Sequence, residues 1–103
     1  MSIEAMRDRL AELTGWKLIG DKYWMPPGPA SLRVGQKNHP IPTSIDGIAA
    51  LWPDGWTWGR WGDGVWVATR PIKGLGVEVE VVDTGNEWAD RAALLIEVLE
   101  ANK

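Results

Sequence analysis

Tryptophan supplies nearly all the aromatic bulk of this 103-residue chain, which contains eight Trp, one Tyr and no Phe. Five of the eight lie within residues 52–66, WPDGWTWGRWGDGVW. A domain of this length buries only a little over about 60 % of its unfolded surface, so it needs bulky core side chains. Most of the tryptophans are therefore expected in the core. The remaining ones are candidates for contact with a ligand or a partner protein.

Composition excludes several kinds of site. The chain has no cysteine, which excludes disulfides and thiolate metal sites. Its first ten residues, MSIEAMRDRL, lack the apolar core of a signal peptide, and no run approaches the roughly 18 apolar residues of a membrane span. We expect one domain over residues 1–103 in the cytoplasm, with no membrane partner. The net charge of −3 disfavours nucleic acid as a partner.

Charge is unevenly distributed along the chain. Residues 15–73 contain seven basic and four acidic side chains, a net +3, whereas residues 74–103 contain two basic and seven acidic side chains, a net −5. An anionic ligand would be repelled least by the middle segment.

Apolar side chains recur at helical spacing in three segments, 2–13, 43–52 and 86–101. Ser2 and Thr43 are expected to cap the first two helices, and Thr84 with Glu87 forms a capping box before the third. The third helix has Leu94 and Val98 beside its main apolar face, so we expect it to pack on more than one side.

Five short apolar runs predict strands, at 16–19, 22–25, 56–61, 65–70 and 75–82. Two-residue turns are expected at Gly20-Asp21 and Asp63-Gly64. Without alternation of strands and helices, the fold class is α+β: an antiparallel sheet of roughly four to five strands with helices packed on it. The proline-rich segment 26–43 is either a functional lid or an ordered surface coil.

The turn at Asp63-Gly64 would set Trp61 opposite Trp66. Alternation then gives a core face carrying Trp56, Trp58 and the valines of both following strands. The other face would combine Trp61 and Trp66 with small and charged residues, Gly59, Ala68, Arg70, Glu78 and Glu80. Aromatic anchors with a polar rim are typical of an interface. The candidate ligand or partner site consists of Trp61, Trp66, Arg60, Arg70, Arg33 and Lys37.

Catalytic chemistry has little support in the sequence. His39 is the one histidine, and it lies in the proline-rich segment, where a solvated side chain is expected. The serines lack a Gly-x-Ser-x-Gly context, and no metal-ligand spacing is present. We predict no catalytic residue, no metal and no cofactor.

Three segments together resemble the phage ABA sandwich domain family: LAELTGWKLIGDKYWMPPG at 10–28, PIPTSIDGIAAL at 40–51 and DTGNEWADRAALLIEVLEA at 83–101. The resemblance implies a central antiparallel sheet with helices on both faces, in a phage or prophage protein of the host cytoplasm. It implies no catalytic residue. The long segment 26–43 and the density of tryptophan depart from the family pattern.

Three functions are therefore compared. The first is a non-catalytic phage accessory protein that acts by binding, including binding to itself as a homo-oligomer. The second is a binder of a small anionic ligand, such as a nucleotide signal of host defence, by Trp stacking and basic side chains. A glycan-binding module with exposed Trp is a variant of the second. The third, an enzyme such as a glycan hydrolase or phosphodiesterase, is disfavoured by the few acid and base side chains.

Overall fold

The computed structural model describes residues 2–20, 23–29, 34–62, 64–72 and 75–101, with the backbone alone for 61, 71–72 and 75–77. Within these ranges the elements follow the order α1 (Ile3–Leu13), β1 (Lys17–Ile19), β2 (Tyr23–Met25), α2 (Ile45–Ala49), β3 (Thr57–Trp61), β4 (Val65–Ile72), β5 (Leu75–Val82) and α3 (Glu87–Ala101). The strands form two antiparallel sheets, β1-β2 and β3-β4-β5. The α+β class is confirmed, but the five strands form separate sheets of two and three strands instead of the expected single sheet of four to five.

Helix α3 lies between two hydrophobic cores. One of its faces packs with α1, α2 and the β1-β2 hairpin, and this core contains Leu10, Ala11, Trp24, Ile41, Ile48, Trp88, Ala92, Leu95 and Ile96. The next face packs on the three-stranded sheet, in a core of Trp56, Trp66, Ala68, Leu94 and Val98. The prediction that this helix packs on more than one side is confirmed.

The predicted N-terminal capping residue is the observed one at α1 only. Ser2 accepts a hydrogen bond from the Ala5 amide at 3.1 Å. At α2, Ser44 rather than Thr43 is the cap, because its hydroxyl accepts from the Gly47 amide at 3.1 Å.

At α3, the predicted capping box is replaced by a different network. Asn86 caps the helix by accepting from the Ala89 amide at 3.1 Å. Thr84 instead donates its hydroxyl to Asp90 at 2.5 Å, and its amide donates to both carboxylate oxygens. Asp90 is only 1 % exposed, and a buried carboxylate needs such donors.

The predicted register of β3 and β4 is wrong by one residue. Trp61 pairs with Val65, and Arg60 pairs with Trp66, so the connecting loop has three residues, 62–64. Gly64 takes a φ of 77°, the left-handed conformation that a three-residue hairpin loop requires at its last position. A one-residue shift moves every β4 side chain to the other face, so Trp66 and Ala68 enter the core.

The described part of the proline-rich segment is an ordered coil against the protein. Gln36 exchanges backbone hydrogen bonds with Trp24 at 2.9 and 3.0 Å, which adds a single bridge to the hairpin. Ile41 is fully buried, and the Arg7 guanidinium donates to its carbonyl at 2.9 and 2.7 Å.

Because α3 is buried on two faces, shortening either of two adjacent leucines on it is predicted to destabilise the protein. Leu94→Ala and Leu95→Ala should each lower the free energy of unfolding by about 2–5 kcal/mol, because each leaves a cavity in a different core. Glu97→Ala, on the exposed side of the same helix, should change it by less than about 0.5 kcal/mol. Urea denaturation checks this, and a small effect at either leucine would contradict the two-core arrangement.

Candidate functional site

Three tryptophans form a packed cluster that Arg91 of α3 covers. Trp52 and Trp58 stack with ring centroids 5.3 Å apart and planes 12° from parallel, and Trp58 lies 6.3 Å from Trp66. The central carbon of the Arg91 guanidinium is 4.7 Å from the Trp58 ring centroid and 5.3 Å from that of Trp66. Arg91 also donates to Glu87 at 2.7 Å. The Trp-rich stretch is thus largely a structural cluster.

The predicted pair of exposed tryptophans is not found. Trp66 is 5 % exposed and belongs to the core, so its assignment to an exposed interface is wrong. The side chain of Trp61 lies outside the described part of the chain. Sequence reasoning also missed Arg91, although it precedes Leu94 and Val98 at helical spacing and so falls on their stripe.

The four predicted basic residues are not brought together in the described structure. Arg60 is exposed and forms an ion pair with the carboxylate of Asp83. Arg60 pairs with Trp66 on β4, and Arg70 lies four residues further along the same strand. Arg70 and Trp66 are therefore separated by about 13 Å along β4. Lys37 lies beside the hairpin bridge, and Arg33 is outside the described residues.

A depression near Arg60 contains several charged groups that already have partners. It is lined by Arg60, Trp66, Asp83, Gly85, Glu87 and Asp90. Asp83 accepts from the Gly85 amide at 2.8 Å. This hydrogen bond, followed by hydrogen bonding with Asp90 and the charge of Arg60, lowers the pKa of Asp83 below its ordinary value. Among the described residues, no group of three or more His, Asp or Glu side chains could hold a metal ion.

His39 is held in place rather than solvated, contrary to expectation. Its Nδ1 accepts from the Ile41 amide at 3.1 Å, so Nε2 carries the proton and donates to Asp8 at 2.8 Å. The ring also packs at 4.7 Å from that of Trp24. With both ring nitrogens engaged, the side chain fastens the 34–43 coil to α1.

Exposed apolar side chains concentrate on the β1-β2 hairpin. Lys17 pairs with Met25 and Ile19 with Tyr23, so these four side chains share one side, which we call the hairpin face. Trp24 lies on the opposite side, in the core. Ile19 is 56 % exposed and Tyr23 46 %.

Further exposed residues border the hairpin face. Val34, close to the Gln36 bridge, is 80 % exposed, and Leu18 is half exposed on the side of β1 opposite the hairpin face, where it pairs with Trp24. The neighbouring cation Lys37 is exposed as well. No ion pair joins Lys17 or Lys37 to any other residue whose structure is described. The arrangement combines apolar anchors with basic neighbours, which is the composition of a contact surface.

Arg91 is predicted to stabilise the tryptophan cluster. Arg91→Gln should lower the free energy of unfolding by about 0.5–2 kcal/mol, because it removes a guanidinium from two ring faces in a partly desolvated position. Arg9→Gln is the matched control, since Arg9 pairs only with exposed carboxylates. Chemical denaturation followed by tryptophan fluorescence measures both. An equal or smaller loss in Arg91→Gln than in Arg9→Gln would contradict the role given to the cation.

Asp83 is predicted to contribute pH-dependent stability. Because folding lowers its pKa, the contribution is present above the ordinary carboxyl pKa near about 4 and is lost as the pH falls through the folded-state value. Asp83→Asn should therefore lower the melting temperature most near neutral pH, and the difference from wild type should shrink in acid. Melting curves from neutral to acidic pH test this. A difference that does not change with pH would exclude the carboxylate charge as the cause.

Comparison with known proteins gives no match: no family model, no curated protein and no solved structure matches the chain. The resemblance to the phage ABA sandwich domain family therefore stays a prediction. None of the helices in the described ranges is long and apolar enough to cross a membrane.

Proposed function

We propose that this chain is a non-catalytic binding protein that associates with copies of itself through the hairpin face. The observation that carries the proposal is the concentration of exposed apolar side chains. Six large apolar side chains are exposed among the described residues. Two of them, Ile19 and Tyr23, lie on the hairpin face, and two more are nearby: Val34 in the adjacent coil and Leu18 on the other side of β1.

The hairpin gains little from the fold on this side. All three residues of β1 are exposed, and the described structure pairs this strand only with β2. A two-stranded sheet is marginally stable by itself, and the bridge at Gln36 adds one residue pair. Burying Ile19 and Tyr23 against a second copy would remove apolar area from water, at about 25 cal/mol per Å², and would support the strand pair.

A second copy is the proposed occupant because the chain carries both charge signs in separate regions. Lys17 on the hairpin and Lys37 in the coil beside it are exposed and belong to the segment with net charge +3, whereas the segment 74–103 has net charge −5. Opposite charges steer association and fix its orientation. The engaged ring nitrogens of His39 support a role without catalysis. An accessory protein of a phage, as the family resemblance implies, could act in this way.

Two isoleucines provide a matched test. Ile19→Lys places a charge in the hairpin face, whereas Ile3→Lys makes the same change at a site on α1 that is 45 % exposed. Light scattering after size-exclusion chromatography should show wild type and Ile3→Lys above the 11.4 kDa monomer mass as concentration rises. Ile19→Lys should stay monomeric.

The exposure of Ile19 keeps this test interpretable. Its replacement should change the free energy of unfolding by less than about 0.5 kcal/mol, so lost association would not reflect lost folding. A wild-type chain that is monomeric at every concentration would overturn the proposal. So would an Ile19→Lys variant that associates as strongly as Ile3→Lys.

A further inference from the structure

We infer that the hairpin face of one copy docks on the outer face of the three-stranded sheet of the next copy, in a head-to-tail assembly. The inference rests on the proposed function, because it names the partner surface for the same hairpin. The docking surface, which we call the acidic sheet face, consists of Glu78, Glu80 and Val82 on β5 with their β4 partners Thr69, Val67 and Val65.

No described helix packs on the β5 side chains of the acidic sheet face, although its central β4 residue, Val67, is itself buried. Helix α3 covers the opposite side of the sheet, where it packs against Trp66, Ala68 and their neighbours. Apart from β3, which pairs with β4 in the sheet, no other described helix or strand packs extensively on β4 or β5. Glu78 and Glu80 are exposed and form no ion pair with any residue that the structure describes, and Val82 is 72 % exposed.

Charge decides between the possible arrangements. If two hairpin faces were in contact, Lys17 and Lys37 of one copy would lie near the same lysines of the other. If two acidic sheet faces were in contact, Glu78 and Glu80 would lie near the same glutamates. Like charges placed together oppose association, whereas a hairpin on a sheet face brings lysines to glutamates. Asp8 and Glu12 line a depression together with Lys17, but neither forms an ion pair with it in the described structure. The heterologous arrangement is therefore favoured.

The two surfaces also match in spacing. Lys17 and Ile19 lie two residues apart on one side of β1, and Glu80 and Val82 lie two residues apart on one side of β5. Each strand thus presents a charge and an exposed apolar side chain about 7 Å apart. One docking event can pair the charges and bury Ile19 against Val82 at the same time.

Head-to-tail contact leaves one hairpin and one sheet face free at the ends of any chain of copies. Such contacts produce rings when the rotation closes and open filaments when it does not. The assembly is thus predicted to exceed a dimer as concentration rises and to weaken as salt screens the charges.

Charge reversal on each surface tests the inference. Lys17→Glu with Lys37→Glu should weaken association at least about tenfold, and Glu78→Lys with Glu80→Lys should do the same, since each variant places like charges at the contact. An equimolar mixture of the two variants should recover assembly, because the reversed surfaces are complementary between variants. Glu4→Lys with Glu97→Lys is the control, as it changes the net charge as much as the sheet variant at exposed sites on α1 and α3. Sedimentation velocity measures every case.

The outcomes separate this inference from the proposed function. If Glu78→Lys with Glu80→Lys associates like its control while Ile19→Lys is monomeric, the hairpin docks elsewhere and the inference fails alone. Failure of the mixture to assemble also overturns it. A monomeric wild-type chain overturns both proposals. Circular dichroism of each variant confirms that the fold is retained.

Discussion

The burial of α3 on two faces is the constraint on which the rest of the structure depends. A 15-residue helix with a single apolar stripe would hold one layer, whereas Leu95 and Leu94 of this helix are each fully buried in a different core. Both sheets and both other helices meet at this element. The carboxylate of Asp90, buried in its first turns, then requires donors, and Thr84 supplies them from the connection to β5. These hydrogen bonds also fix the path of the chain from β5 into α3.

Tryptophan side chains fill the space between α3 and the three-stranded sheet, but their buried indole N–H groups lower the stability gained. Trp66 and Trp56 fill the space that Phe or Leu would otherwise occupy, but their indole nitrogens are buried without a hydrogen-bond partner among the described residues. Each such group costs on the order of 1–3 kcal/mol, which burial of large apolar rings offsets. Arg91 adds a cation over two of the rings at this boundary. The density of tryptophan is therefore explained by the core without a ligand.

Sequence reasoning predicted the elements and class well because they depend on local pattern. Helix periodicity, the order of the strands and the burial of α3 on two sides agree with the structure, whereas both predicted two-residue turns are three-residue loops, 20–22 and 62–64. The candidate site was predicted poorly because it depended on register. Asp63-Gly64 fits a two-residue turn as well as the end of a three-residue loop, and period-two alternation turns that one-residue difference into a reversal of faces. Long-range contacts such as His39 with Asp8 leave no local signal.

The corrected register moves the search for function from aromatic to aliphatic and charged residues. With Trp66 in the core, the outward side of the sheet presents Glu78, Glu80 and Val82, while α3 packs on the other side. An exposed sheet face and an exposed hairpin in one small protein are normally liabilities for non-specific association. Like charges on each surface oppose contact with its own kind and allow contact with the other. The same charges that would direct assembly would therefore also prevent uncontrolled aggregation of either surface.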